Sequence, residues 1–124
     1  MAKILAVDDQ LTIRELISVI LQGRGHSITT AEDGLTALEK VRNEHFDLVI
    51  TDINMPKMDG YAFVAKVRQI PEYKYIPILM LTTESREDRK ANAKMVGASG
   101  WLTKPFDSQR LSGAVTKLLA KADK

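Results

Sequence analysis

Two apolar runs in this chain end in acid. Ile4-Leu5-Ala6-Val7 stops at the adjacent carboxylates Asp8 and Asp9, and the run from Asp47 through Leu48-Val49-Ile50-Thr51 stops at Asp52. A hydroxyl, Thr82, follows Ile76–Leu81, and an amine, Lys104, follows the short stretch Trp101-Leu102-Thr103. Three carboxylates offer oxygen alone, which suits a hard cation; one or two carboxylates plus waters is the usual magnesium arrangement. A carboxylate can also act as a nucleophile and take up a phosphoryl group as an aspartyl phosphate, with a divalent ion and an amine neutralising the phosphoryl oxygens. Like charges alone raise a carboxylate's pKa, and a nearby cation lowers it. Taken singly, each residue has an ordinary use, as a turn, a helix cap or a surface hydroxyl. The chemistry requires that the fold bring all four strand ends together.

The apolar pattern supplies such a fold. Residues 3–7 read as a strand. Ile13, Leu16, Ile17, Ile20 and Leu21 then recur at helical spacing, with Thr12 and Glu15 as a capping box and Gly23 and Gly25 as the stop. Ser27–Thr30 reads as a second strand, and Leu35, Leu38 and Val41 mark a second helix. Residues 47–51 form a third strand, and Phe63, Val64 and Val67 mark a helix entered through Asp59-Gly60. Ile76–Leu81 is a fourth strand, followed by a helix over 86–96 capped by Ser85 and Asp88. Residues 101–103 are a short fifth strand, and Leu111, Ala114, Val115, Leu118 and Leu119 stripe the last helix. Strand and helix alternate five times. Continuous apolar strands with intervening helices predict an α/β fold, a (βα)5 doubly wound sheet of five parallel strands covered on both faces. The helix over 86–96 has Ala91, Met95 and Val96 as its main apolar contacts. It is expected to be held weakly and so to suit a movable element.

In such sheets ligands bind beyond the carboxyl ends of the strands, where the strand order reverses. A five-unit chain with order 2-1-3-4-5 reverses between strands 1 and 3. That topology gathers Asp8, Asp9 and Asp52 in one crevice, with Thr82 and Lys104 ending strands on the same edge.

The chain has 124 residues, 44% apolar and 27% charged, which predicts one domain spanning 1–124 with no fused output domain. Eighteen basic and 16 acidic side chains nearly cancel, and no basic run is interleaved with aromatics, so nucleic acid is not an expected partner. There is no cysteine for a disulfide or thiolate site. The four-residue apolar run near the start is too short for a signal peptide or membrane span, so a cytoplasmic protein is expected, with no membrane partner. No long exposed apolar face is evident, which favours a monomer.

The ordered motifs "VDD" at 7–9, "DINMPKMDG" at 52–60, "LTT" at 81–83, "GASG" at 97–100 and "KPF" at 104–106 resemble the receiver domain of two-component response regulators, over essentially the whole chain. Each motif is weak alone, and the ordered set is specific. The closest pattern is a stand-alone, chemotaxis-type receiver. Chemotaxis receivers are themselves a known example of the 2-1-3-4-5 order, so on this resemblance the order is carried over from the family.

The resemblance implies roles. Asp52 would be the phosphoacceptor, taking its phosphoryl group from a histidine kinase. Asp8 and Asp9 would hold Mg2+, Asp9 as the direct ligand, with Asp52 and the backbone carbonyl of Asn54 completing the set. Lys104 would contact the phosphoryl group, after a cis Lys104–Pro105 peptide, and Thr82 would donate its hydroxyl to a phosphoryl oxygen. Trp101 stands where many receivers carry a tyrosine or phenylalanine that turns inward on activation. The face formed by the helix over 86–96, the fifth strand and the last helix would then bind a target such as a flagellar switch component, with Arg86, Lys90, Lys94, Trp101 and Lys117 as contacts. Asn54 and Glu84, two residues beyond Asp52 and Thr82, would shape water access and so the lifetime of the phosphorylated state. On this reading the protein is a switch that catalyses only its own phosphorylation and dephosphorylation. The alternative within the family is a phosphorelay intermediate or phosphate sink.

Two other classes compete. An aspartate-nucleophile phosphohydrolase of the haloacid dehalogenase type needs a second Asp two residues after the first, and this chain has Asn54 there. A flavodoxin-like carrier needs a phosphate-cradling loop after strand 1, where Asp8-Asp9-Gln10 would repel phosphate without a metal, and no G-x-G-x-x-G is present.

Overall fold

A computed structural model describes residues 1–83 and 97–122. Five parallel strands form one sheet: β1 (Lys3–Val7), β2 (Ser27–Ala31), β3 (Leu48–Asp52), β4 (Ile78–Thr82) and β5 (Gly100–Thr103). Their order is β2-β1-β3-β4-β5, as the family resemblance implies. The α-helices among the described residues are α1 (Leu11–Gln22), α2 (Gly34–Asn43), α3 (Gly60–Arg68) and α4 (Ser108–Ala122). The predicted helix over 86–96 and its caps Ser85 and Asp88 lie outside the described residues, as do Glu84, Arg86, Lys90 and Lys94. Among the described residues no helix is long and apolar enough to cross a membrane.

The side-chain period of two divides the strands between two apolar layers. Leu5, Val7, Val49 and Met80 pack with Ala37, Leu38 and Val41 of α2 and Phe63, Val64 and Val67 of α3. Ile4, Ala6, Ile50, Leu79 and Leu81 pack with Ile17 and Leu21 of α1 and Leu111 and Val115 of α4. Nearly every one of these side chains is fully buried, each worth about 1.5–3 kcal/mol for the larger aliphatic and aromatic residues. The central strands β3 and β4 are buried along their whole length, which is why their sequences run apolar without alternation.

Local chemistry sets the ends of the elements. Asp33 caps α2 by accepting the Thr36 N–H at 2.7 Å, and Asp59 caps α3 through the Ala62 N–H at 2.8 Å. Lys40 and Arg42 in the last turn of α2, and Lys66 and Arg68 in that of α3, complement the negative helix ends. Gly25, at φ +91°, turns the chain from α1 into β2. Tyr73, in a 3-10 turn over Pro71–Tyr73, donates to the Glu44 carbonyl at 2.6 Å and accepts the Phe46 N–H at 3.1 Å, tying this turn to the entry of β3. The Arg68 guanidinium donates to the carbonyls of Tyr73, Ile76 and Gly97, fixing the approach to β4 against the start of the 97–99 turn.

Several expectations need correction. Helix α1 starts at Leu11 with Gln10 as its N-cap and no side-chain cap bond, so Thr12 and Glu15 are not a capping box. The turn off β1 is organised instead by Asp8, whose carboxylate accepts the Gln10 N–H at 2.9 Å. Leu16 and Leu35 were expected in the buried stripes but are 41% and 49% exposed. The buried arc of α1 centres on Ile17 and Leu21, and that of α2 on Gly34, Ala37, Leu38 and Val41, so each leucine falls at its edge. Strands β3 and β4 begin and end one or two residues later than their apolar runs, and β5 gains Gly100. The 3-10 turn carries no periodic apolar signal and was not foreseen.

Candidate functional site

Pairing of the strands brings their carboxyl ends into register. Val7 pairs with Thr51, Asp52 with Leu81 and Thr82 with Thr103. The residues just beyond, Asp8 after β1 and Lys104 after β5, therefore flank the ends of β3 and β4. Asp8 is fully buried, Asp52 and Thr82 are each 7% exposed, and Asp9 is open to solvent. One carboxylate oxygen from each of Asp8, Asp9 and Asp52 lies within 4.8 Å of the other two.

The Lys104 ammonium answers part of this charge. It donates to Asp8 Oδ2 at 2.8 Å and lies 3.4 Å from Asp52 Oδ1. Its own backbone N–H donates to the Thr82 carbonyl at 2.6 Å, which seats the lysine at the end of β4. The Lys104–Pro105 peptide is cis. Burial alone would push the Lys104 amine down, but the hydrogen bond and charge of Asp8, with Asp52 behind them, outweigh it and hold the ammonium above its usual range. Asp52 moves the other way in charge preference. Burial, then the charge of Asp8, push its carboxyl above the ordinary carboxylate range, against the opposing pull of Lys104 and the Ile53 N–H. That N–H donates to Asp52 Oδ1 at 2.9 Å.

Every polar group of Asp8 is engaged. Its N–H donates to the Ala31 carbonyl at 3.1 Å, Oδ1 accepts from Gln10 N–H, Oδ2 accepts from Lys104, and its carbonyl accepts from Arg14 Nη1 at 2.6 Å. Asp8 is thus held firmly in place with lone pairs left on its carboxylate oxygens, and the exposed Asp9 carboxylate has room to meet an ion together with waters. The all-oxygen donor set fits a hard divalent cation.

The loop after β3 is held tightly. A Cβ on Gly60 would collide with the Asp52 carbonyl, and the Gly60 N–H donates to the Ile53 carbonyl at 2.7 Å, so only glycine lets α3 start this close to Asp52. Lys57, at φ 70°, lies 3.6 Å from Asp33 and links this loop to the start of α2.

The structure therefore brings together Asp8, Asp9, Asp52 and Lys104, with Thr82 closing the same edge. Asn54 is exposed two residues beyond Asp52. Trp101 is half-buried opposite Met80 and packs against the layer under α2 and α3. It shares a groove of about 250 Å³ between β5 and α4 with Lys117 and Leu118. Arg14 and the Lys57–Asp33 pair were not foreseen. Arg14 reads in sequence as one more polar position on an amphipathic helix, and only its spacing of six residues from Asp8 hints that it could reach back over the turn.

Comparison with known proteins follows the same lines. The family model described as response regulator receiver domain matches residues 4–116. The chemotaxis protein CheY of Pseudomonas aeruginosa is 37% identical over 122 residues, covering 98% of both chains. The chemotaxis protein CheY-3 of Vibrio cholerae is 37% identical over 120 residues, covering 96% of this chain and 92% of the relative. The crystal structure of the chemotaxis response regulator CheY4 of V. cholerae superimposes with a TM-score of 0.93 at 47% identity, covering 95% of this chain and 98% of that one.

Proposed function

We propose a phosphoryl-activated signalling switch for this chain, which belongs to the response regulator receiver domain family. The observation that carries the reading is the convergence of three carboxylates and one ammonium where the strand order reverses.

In this reading Asp52 is the phosphoacceptor. One of its carboxylate oxygens attacks the phosphorus of a phosphohistidine on a partner kinase. The new aspartyl O–P bond forms as the N–P bond breaks, and the electron pair of that bond leaves with the imidazole. Burial and the charge of Asp8 already make the Asp52 anion costly, and the acyl phosphate adds negative charge at the same place, so the step depends on neutralisation by Lys104, 3.4 Å away, and by a bound cation. Asp8, Asp9 and Asp52, with the Asn54 carbonyl, are the groups that would hold Mg2+, Asp9 as the direct ligand. The ion, when bound, neutralises phosphoryl oxygens. Thr82, at the end of β4 and paired with Thr103, donates its hydroxyl to the phosphoryl group and passes the change to β5 and Trp101. The groove holding Trp101 and Lys117 is part of the target-binding face. The similarity to chemotaxis proteins favours a motility output through a flagellar switch component, with the protein acting as a cytoplasmic monomer.

The test is optical. Trp101 is the sole tryptophan. A small phosphodonor with Mg2+ is expected to change its fluorescence in the native protein and to leave Asp52→Asn unchanged. A response that persists in Asp52→Asn would refute the assignment of the phosphoacceptor.

A further inference from the structure

Arg14 lies one turn into α1 and points back at the strand end it follows. Its Nη1 donates to the Asp8 carbonyl at 2.6 Å. Its own backbone is fixed, with N–H donating to the Gln10 carbonyl at 3.1 Å and C=O accepting from Ser18 Oγ at 2.9 Å. The Asp8 carbonyl belongs to the peptide unit that joins Asp8 to Asp9. A planar peptide transmits the orientation of its carbonyl to the next Cα. Three other bonds, at the N–H, Oδ1 and Oδ2 of Asp8, fix the residue on its own side of that unit. The Arg14 bond alone among these acts on the far side, toward Asp9.

We propose that Arg14 is a positioning residue for the divalent cation: by holding the Asp8–Asp9 peptide it aims the exposed Asp9 carboxylate at Asp52. This rests on the reading of the acid cluster as a Mg2+ site. Partners that orient a ligating carboxylate commonly change metal affinity by about tenfold or more when removed. A purely electrostatic role predicts the opposite sign. A guanidinium beside a cation site repels the ion, so deleting it as a mere charge would tighten binding.

Calorimetric titration of Mg2+ into native protein, Arg14→Met, Arg14→Lys and Asp9→Asn separates these cases, with metal-free melting curves to establish that each variant is folded. Arg14→Met is expected to bind Mg2+ about tenfold more weakly. Arg14→Lys, which keeps a donor and the charge but loses the guanidinium fork, is expected to fall between Arg14→Met and the native protein. Unchanged or tighter binding by folded Arg14→Met would overturn the proposal while leaving the site intact. Should Arg14→Met not fold, Arg14→Lys decides alone: affinity equal to native overturns the proposal, and a weakened affinity supports it. Asp9→Asn binding as tightly as the native protein would instead overturn the site reading, and the proposal with it.

Discussion

Replacing Asp52 by Asn is expected to stabilise the metal-free protein even though it removes an ion-pair partner. The side chain is 10% exposed, with Lys104 at 3.4 Å and Asp8 within 4.8 Å. At an effective dielectric of about 20, attraction to Lys104 is worth about 5 kcal/mol and repulsion from Asp8 at least about 3.5 kcal/mol. The surplus of at most about 1.5 kcal/mol is smaller than the several kcal/mol needed to desolvate a carboxylate. Asparagine keeps an oxygen for the Ile53 N–H, and Lys104 keeps its 2.8 Å bond to Asp8, so no buried charge is orphaned. The net gain should be about 1–2 kcal/mol, or roughly 3–8 °C in Tm for a domain of this size. The pH dependence has a definite sign. Asp52 has a folded pKa above its unfolded value, so the folded state binds the proton more tightly and stability falls as pH rises between the two. The penalty is complete above the folded pKa and relieved below the unfolded one. Differential scanning calorimetry in chelator-treated buffer, at neutral pH and down through the carboxylate range, should show the variant melting higher at neutral pH and the two curves converging in acid. A variant that melts at or below the native protein at neutral pH would refute the claim that this carboxylate is held at a cost.

Asp9→Asn should leave metal-free stability within about 0.5 kcal/mol, because Asp9 is exposed, while abolishing most of the rise in Tm that Mg2+ gives the native protein. Tyr73→Phe removes the hydroxyl that serves both Glu44 and Phe46 and leaves a buried N–H unpaired; urea unfolding should show a loss of about 1–3 kcal/mol. Thr82→Ala should still accept a phosphoryl group but lose most of the Trp101 fluorescence change, which stopped-flow mixing with a small phosphodonor would record.

Much of this site was legible because its residues sit at ends of apolar runs. Asp8 and Asp9 follow β1, Asp52 and Thr82 end β3 and β4, and Lys104 follows β5, and once the sheet is parallel with order 2-1-3-4-5 their convergence is a matter of topology. The strand cores of β3 and β4 were readable for the same reason: burial on both faces removes any need for polar alternation. What escaped were interactions across a turn. The capping-box pattern at Thr12 and Glu15 misplaces the start of α1, because Asp8 organises the turn from two residues upstream of Gln10. Arg14 escapes because a polar residue on a helix, even one spaced six residues from Asp8, does not show which carbonyl it reaches. Leu16 and Leu35 fall outside the buried arcs because apolar spacing fixes a helix and its approximate face, but not the width of the arc that its neighbours cover.

The central claim is that Asp52 accepts a phosphoryl group through this acid cluster. The most direct measurement is intact mass after incubation with a small phosphodonor, with and without Mg2+, followed by peptide mapping of any adduct and with Asp52→Asn in parallel. The account predicts a single phosphoryl adduct that requires Mg2+, maps to the peptide containing Asp52 and is absent from the variant. An adduct that maps elsewhere, forms equally in Asp52→Asn, or fails to form under any of these conditions would contradict it.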